Sequence, residues 1–397
     1  MSNIVSKKRL GDVVNFKRGY DLPSYNRIEG QYPIVSSSGI SGYHAEYKVE
    51  GEGLVTGRYG TLGEVYYING KYWPHNTALY VTDFKGNYPK YVYYLMKCLG
   101  NLKTSDKSTV PGINRNDLHE IVIPYIEPKY QQRIAAILSA LDAKIELNQR
   151  INAELESMAK TLYDYWFVQF DFPNEKGKPY KSAGGKVVWN EELKREIPLG
   201  WKVESIETCC EIIDCLHSKK PDYEFENERY YLLQLENIRD DGLLDLTNKY
   251  FVPKNVYKTW TSRIEVTEDD ILITNAGRVA ATAQVPNGIK SGIGRNITAI
   301  RPKSVSPTYL FLAFRGIDIR RQIKWNTDSG AFFSSFNVKG IKKLFILRPK
   351  ADIEKQFEKT VKVIRRKREL SNIESQMLTE LRDWLLPMLM NGQVVVK

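Results

Sequence analysis

Four residues in one short stretch, Cys209, Cys210, Cys215 and His217, carry the side-chain types that hold zinc. A zinc site gathers four thiolates or imidazoles around one ion, and its sequence spacing has to permit that convergence. Adjacent cysteines followed by a four-residue gap are not such a spacing. In the internal repeat described below, Cys209 and Cys210 also fall on Val13 and Val14. Small buried hydrophobes are therefore the simpler reading, and no metal site is expected. The remaining histidines, His44, His75 and His119, stand isolated in sequence. Catalytic motifs are missing as well. There is no Asn-Pro-Pro-aromatic or Asp-Pro-Pro-Tyr loop and no Gly-x-Gly turn suited to a nucleotide, and none of Gly70-Lys71, Gly177-Lys178 or Gly185-Lys186 completes a P-loop. Pro221-Asp222 opens a nuclease-like motif that no acidic-x-Lys run completes. No catalytic residue is assigned.

The remaining chemistry is that of recognition. The 397-residue chain has a formal net charge of +11, which favours a polyanionic partner over an acidic small molecule. The excess is local: Gly340 to Leu370 holds 11 Lys and Arg against 4 Asp and Glu, whereas Pro124 to Val168 holds 5 against 6. Reading double-stranded DNA requires Arg or Lys at phosphates and Arg or polar side chains at base edges, presented on loops of a rigid scaffold. In the first half of the chain Arg58, Tyr59, Lys71, His75, Asn76, Asn114 and Arg115 fit that description. In the second half Asn275, Arg278, Arg295, Asn296, Ser334, Ser335 and Asn337 occupy matching or neighbouring places. A second reading stays open, because Asn76, Asn296, Asn114 and Asn337 also suit turns that the fold itself needs.

The elements that must position these residues repeat once. Leu10 to Pro124 consists of short apolar runs cut by Gly, Asn and Ser: Tyr32–Gly39, Gly53–Gly60, Val65–Gly70 with an Asn69-Gly70 hairpin signal, and Thr77–Val81, interrupted by a helical stretch, Pro89–Leu99. The pattern returns later. Ile206–Ile213 echoes Leu10–Phe16, Tyr231–Gln234 echoes Pro33–Ser36, Ile271–Gly277 echoes Leu54–Gly60, and Arg295–Ile300 echoes His75–Tyr80. Each copy closes on a long helix. From Glu127 to about Phe170 apolar residues recur with a heptad: Ile134, Leu141, Asn148, Leu155 and Leu162 at a, Ile137, Lys144, Ile151, Met158 and Tyr165 at d, and Leu138, Ile145 and Trp166 at e. A helix of that length asks for a partner, and Ile353–Met390 supplies one, with Phe357, Val361 and Ile364 falling out of phase with Leu370, Ile373, Met377 and Leu381 across Arg365–Arg368. Asn148 on the seam either fixes helix register or marks a wet part of the interface. An α+β fold follows: mixed domains at 1–126 and 201–350, long helices at 127–170 and 351–397 paired antiparallel as a coiled coil, and a surface connector at 171–200. Two such domains could place two readers on one face of B-DNA, each with its own half-site.

Several stretches resemble the DNA-specificity subunits of type I restriction-modification systems. They are Tyr163–Pro173, the connector Gly177-Lys-Pro-Tyr-Lys-Ser-Ala-Gly-Gly-Lys-Val-Val-Trp-Asn190, Ile197-Pro-Leu-Gly-Trp201 and Ile134–Ile145. The resemblance implies two target-recognition domains reading a split DNA site, spaced by helices that dock modification subunits, two in number, and a restriction subunit where the system has one. S-adenosylmethionine and ATP would then sit on those partners and no cofactor on this chain. The run Tyr163, Tyr165, Trp166, Phe167 and Phe170 holds more aromatic bulk than one seam can bury, so it either docks a modification subunit or packs against the adjacent domain. One departure stands out: the second helix ends in Asp383-Trp-Leu-Leu-Pro387 rather than in a copy of Trp166-Phe167. Four cysteines, no apolar leader and no apolar run near 18 residues point to the cytoplasm and away from a membrane. The competing classes are a coiled-coil scaffold whose domains bind protein or glycan, another kind of DNA-binding regulator, and a self-contained methyltransferase or nuclease, the last disfavoured by the missing motifs.

Overall fold

The computed structural model describes residues 5–57, 64–100, 115–216, 221, 229–329, 334–394 and 396. The chain divides into two compact units, residues 1–146 with 377–397, and residues 147–376. In the first unit a six-stranded sheet runs in the order Asn15–Arg18, Ala78–Asp83, Val49–Gly57, Val65–Pro74, Tyr32–Ser36, Gly39–His44. Neighbours are antiparallel except Tyr32–Ser36 against Val65–Pro74. A separate ribbon joins Val5–Arg9 to Val122–Ile126, and the helix Pro89–Gly100 contributes Tyr91, Val92, Leu95 and Met96 to the core.

The second unit repeats this plan. Its four-stranded sheet runs Cys210–Asp214, Ile297–Pro302, Ile271–Thr274, Thr282–Gln284, the same order as the first four strands above when matched copy to copy. Its ribbon pairs Lys202–Ser205 with Phe345–Arg348, and Pro307–Arg315 stands where Pro89–Gly100 does. All four residues of Ile271–Thr274 are buried, so this strand is covered on both faces and reads in sequence as a continuous apolar run rather than an alternation.

Two local expectations fail. Asn69-Gly70 is not a hairpin turn: the strand Val65–Pro74 runs through it, pairing Asn69 with Glu52 and Gly70 with Gly51. Lys71 accordingly lies in a strand and not on a loop. The connector is also more than surface. Phe172, Leu193 and Ile197 are buried in the second unit's core, and Val187–Asn190 and Arg195–Pro198 form a hairpin.

The first long helix, Pro128–Tyr163, has proline at its first position, where the missing N–H is not needed. A π-helical turn, Asp164–Val168, follows it. Within the second unit Asn148 meets Glu374, Glu156 meets Arg368, and Trp166 lies 5.5 Å from Phe357 between ring centroids. The partner numbers fall as the first helix rises, so the two helices pair antiparallel there. In the first unit Asp142 meets Arg382 at 2.8 Å, and Ile134 and Leu138 share a core with Leu386 and Leu389.

The seam differs in phase from the expected a/d pattern. Gln131, Leu138, Ile145, Asn152, Ala159 and Trp166 are all buried, whereas Ile137, Met158 and Tyr165, assigned to d, are exposed. The seam thus joins the a positions to the e positions. On the second helix a buried stripe continues through Arg365, Arg368, Glu369 and Asn372, where Arg368 meets Glu156 of the first helix while Arg365 meets Asp269 and Asn372 the Leu244 carbonyl of the globular part; Leu370, Met377 and Leu381 face outward. Asn148 acts as a register pin: its amide donates to Glu374 at 2.8 Å.

The docking role given to the aromatic run also needs correction. Tyr163, Trp166, Phe167 and Phe170 are buried in the second unit's core, and of that set only Tyr165 is exposed. Phe167 packs against Tyr309 and Phe357, each 4.7 Å away between centroids. Phe170 takes the left-handed backbone at φ 67°, an unusual place for a bulky residue, and is held there against Trp201 and under the Arg195 guanidinium. Phe167→Ala is expected to lower the stability of the second unit by about 3–5 kcal/mol. Urea denaturation followed by tryptophan fluorescence measures this, and a loss below about 1 kcal/mol would contradict a packed core position.

Candidate nucleic-acid interface

In the first unit the turn after Val65–Pro74 carries His75 and Asn76. Tyr20 N–H donates to Pro74 O at 2.8 Å and Gly19 N–H to Ala78 O at 3.1 Å, which lays residues 19–20 flat on this turn. A Cβ at Gly19 would stand 2.2 Å from His75 O, so the approach requires glycine. Three polar side chains gather here. The Asn76 amide donates to the Asp21 carboxylate, Arg18 Nε donates to Asn76 O at 3.3 Å, and Arg18 Nη2 lies 3.9 Å from Asp21. His75 Nδ1 shares a proton with Thr77 Oγ1 at 3.0 Å, and burial together with the nearby Arg27 guanidinium lowers its pKa, keeping the ring neutral. Arg18 and Asp21 escaped the sequence reading, although a basic-Gly-aromatic run beginning at Arg18 was a legible signal of a close turn.

Lys71 lies apart from this turn in the hairpin ladder. Its ammonium sits over the Tyr47 ring at 4.6 Å and 3.9 Å from Glu50, and the hydrogen bond to Tyr47 and the charge of Glu50 raise its pKa. Arg115 is the exposed first residue of a short helix, Arg115–Glu120. Arg58, Tyr59 and Asn114 lie outside the described residues.

The second unit brings more of its candidates together. Asn275 N–H donates to Asn296 O at 2.8 Å and Phe336 N–H to Asn275 O at 2.8 Å, tying three loops. The Asn275 side chain accepts from Thr298 Oγ1 at 3.0 Å and donates to Asp214 at 3.4 Å. Asn296 holds φ 63°, a left-handed conformation that asparagine tolerates better than most residues. Asn337 caps the helix Val338–Lys342, accepting from Gly340 N–H at 3.1 Å. These three asparagines hold turns and caps, the second of the two roles open to them. Arg278 is likewise engaged: it pairs with Asp240 at 2.6 Å and donates to the carbonyls of Leu235 and Ile238. Arg295 is different. It is exposed and makes no hydrogen bond or ion pair among the described residues. Ser334 and Ser335 form a short strand against Asp328–Ser329.

Cys209 and Cys210 are free thiols buried in the second unit's core, with sulfurs 3.7 Å apart. Among the described residues no three metal-capable side chains gather at one point, and His217 lies outside those residues. Among them, too, no helix is long and apolar enough to cross a membrane.

Residues 3–157 match the type I restriction modification DNA specificity domain. The chain is 24% identical over 313 residues to the type I restriction enzyme MjaIX specificity subunit of Methanocaldococcus jannaschii, covering 78% of this chain and 69% of that one. It is 23% identical over 339 residues to the HindI specificity subunit of Haemophilus influenzae, covering 73% and 72%. The crystal structure of a type I restriction-modification S subunit from M. genitalium superposes with a TM-score of 0.58 over 97% of this chain and 96% of that one, at 18% identity, a likeness of fold.

The two kinds of polar residue separate by experiment. Asn337→Ala removes a helix cap and should cost about 1 kcal/mol in urea denaturation, with little effect on ligand binding. Arg295→Ala should leave stability unchanged while weakening DNA binding, with a slope of log K against log salt smaller by about 1. An unchanged slope in the assembled complex would remove Arg295 from the interface.

Proposed function

We propose, on the premise that this chain is a member of the specificity-subunit family of type I restriction-modification systems through residues 3–157, that it selects the DNA sequence on which partner subunits act. It is a non-catalytic subunit with two readers, one per unit, each addressing its own part of a split target in double-stranded DNA. The observation that carries this reading is the duplicated strand order, each copy closing on a long helix while the side chains around the candidate turns diverge between copies. A frame repeated with different surfaces suits two half-sites of different sequence. S-adenosylmethionine and ATP belong to the partner subunits in this scheme, which places the complex with DNA in the cytoplasm.

The modification subunits, two in number, dock on the outward faces of the long helices. On the second helix Val363 is 69% exposed and Leu370, seven residues on, 55%; further along Met377 is 64% exposed and Trp384, again seven on, 57%. Seven-residue spacing puts each pair on one side of a helix, the pattern by which one helix receives another. This face replaces the buried aromatic run as the docking surface.

Two experiments test the reading. Methylated adenines should be mapped in cells expressing this chain with its modification subunit, and again after residues 10–124 are exchanged for the corresponding domain of another family member. One half of the target should change and the other persist; a change in both halves would defeat the two-reader scheme. In the second experiment Val363→Asp with Leu370→Asp should cut co-purification of the modification subunit at least tenfold while leaving the chain's own melting temperature within a few degrees, because both side chains are exposed. Undiminished co-purification would locate the docking face elsewhere.

A further inference from the structure

The second unit contains a cleft of about 610 Å³ whose lining includes none of the candidate reading residues. Its walls come from the end of the first long helix, from Arg368 on the second, and from the helices Pro307–Arg315 and Ile317–Asn326. Phe311, Leu312 and Ala159 supply an apolar wall, and Lys160, Arg315, Arg320 and Arg368 bring positive charge to the same space.

The acids around the cleft do not neutralise those cations. Glu156 is shared, meeting both Arg315 and, at 3.1 Å, Arg368. Asp240 is paired at 2.6 Å with Arg278, which approaches from outside the cleft. Asp164 is the third acid in the lining. Counting Arg278 with the four lining cations gives five positive groups against these three acids, a surplus of two. The nearby pairs Arg239–Asp241, at 2.5 Å, and Arg195–Asp318, at 2.7 Å, are internally balanced.

Two guanidiniums are poorly served. Arg320 donates to Ala280 O at 2.8 Å and meets no carboxylate within 4 Å among the described residues; burial and the neighbouring Arg315 lower its pKa. The Arg368 side chain is only 7% exposed, yet its Nε has no hydrogen-bond partner among the described residues. Burial lowers its pKa too, with Arg315 and Arg239 adding to the effect against the opposing charges of Glu156 and Asp241. A buried donor on a charged group left without a partner loses its hydration and gains nothing in return. The helix Ile317–Asn326 also begins at the cleft, and its cap residue, Gly316, offers no side chain to the first-turn amides, which carry the positive end of the helix dipole.

We propose that this cleft binds a small phosphate monoester, its dianionic phosphate drawn to Arg320, Arg368 and the start of the helix Ile317–Asn326, and its apolar or planar body laid against Phe311 and Leu312. The surplus of two positive charges matches a phosphate dianion better than a single carboxylate. The volume lies within the roughly 300–1,000 Å³ of small-molecule sites. Through Asp240, which lines the cleft and pairs with Arg278, an occupant would adjoin the loop that follows Ile271–Thr274.

The test is calorimetric titration of the full-length chain with adenosine 5′-monophosphate, inorganic phosphate and adenosine. Adenosine monophosphate should bind, phosphate should compete with it, and adenosine should bind at least tenfold more weakly. Arg320→Gln and, separately, Lys160→Gln should weaken adenosine monophosphate at least tenfold and threefold respectively without shifting the unliganded melting temperature; these replace Arg368→Ala, whose loss of the Glu156 pair endangers folding. Absence of binding by both adenosine monophosphate and phosphate at millimolar concentration, or undiminished affinity in Arg320→Gln, overturns the proposal. So does displacement of the nucleotide by duplex DNA at equal phosphate concentration, which would assign the cleft to the DNA backbone.

Discussion

One carboxylate, Glu156, holds the second unit's helices together: it joins Arg315 of the helix Pro307–Arg315 to Arg368 of the second long helix, and itself belongs to the first. Replacing such a cluster by apolar residues of similar volume is often neutral or even stabilising, so its contribution is not chiefly to stability. An apolar seam, however, lets one helix slide along another by a heptad with little change in contact. A charge that must meet two guanidiniums at one level does not. Neighbouring polar contacts work in the same sense. Asn148 meets Glu374, Arg365 meets both Asp269 and Glu369, and Asn372 donates to Leu244 O at 3.0 Å. The second helix is thus held to the first helix and to the globular part of this unit by a series of addressed contacts, and their relative positions follow from them.

This explains why the helix phase was hard to read in the sequence. Both long helices carry more apolar residues than one seam needs, and periodicity alone does not tell a buried stripe from an exposed one. The break that Arg365–Arg368 seemed to make is a buried polar stretch, because Arg365 pairs with Asp269 and Arg368 with Glu156 while Leu370 points away. Helix existence and length were legible for the opposite reason: from Pro128 to Tyr163 no glycine or internal proline interrupts the run, and that property is local. The repeat was legible too, since strand order is carried by short apolar runs in the same succession. Asn69-Gly70 misled because Gly70, at φ 118°, sits in the middle of a long strand where only the partner Gly51 across the ladder shows that no turn is made.

For the candidate interface, residue type was legible and role was not. Asparagines recurred in both copies, but whether an amide faces a base or a backbone depends on what the fold brings to it. In the second unit the fold brings Thr298, Asp214 and Gly340 to Asn275 and Asn337, and their side chains are satisfied internally. Arg278 is occupied in the same way by Asp240 and two carbonyls. Asp214 and Asp240 could not have been singled out from sequence, because each matters only through a partner far along the chain.

The division between satisfied frame and free surface bears on how such a protein can change its target. Asn337 closes a turn through a bond inside its own unit, and removing it leaves the N–H of buried Gly340 without its cap. Arg295 does not carry that burden: surface substitutions away from caps and buried partners usually shift stability by less than about 0.5 kcal/mol. Arg295 stands next to Asn296, so a residue that holds the turn and one that can vary freely share a single loop. The turn therefore keeps its shape while the side chain it presents is exchanged, and two copies of one frame can drift toward different sequences without either unit losing its fold.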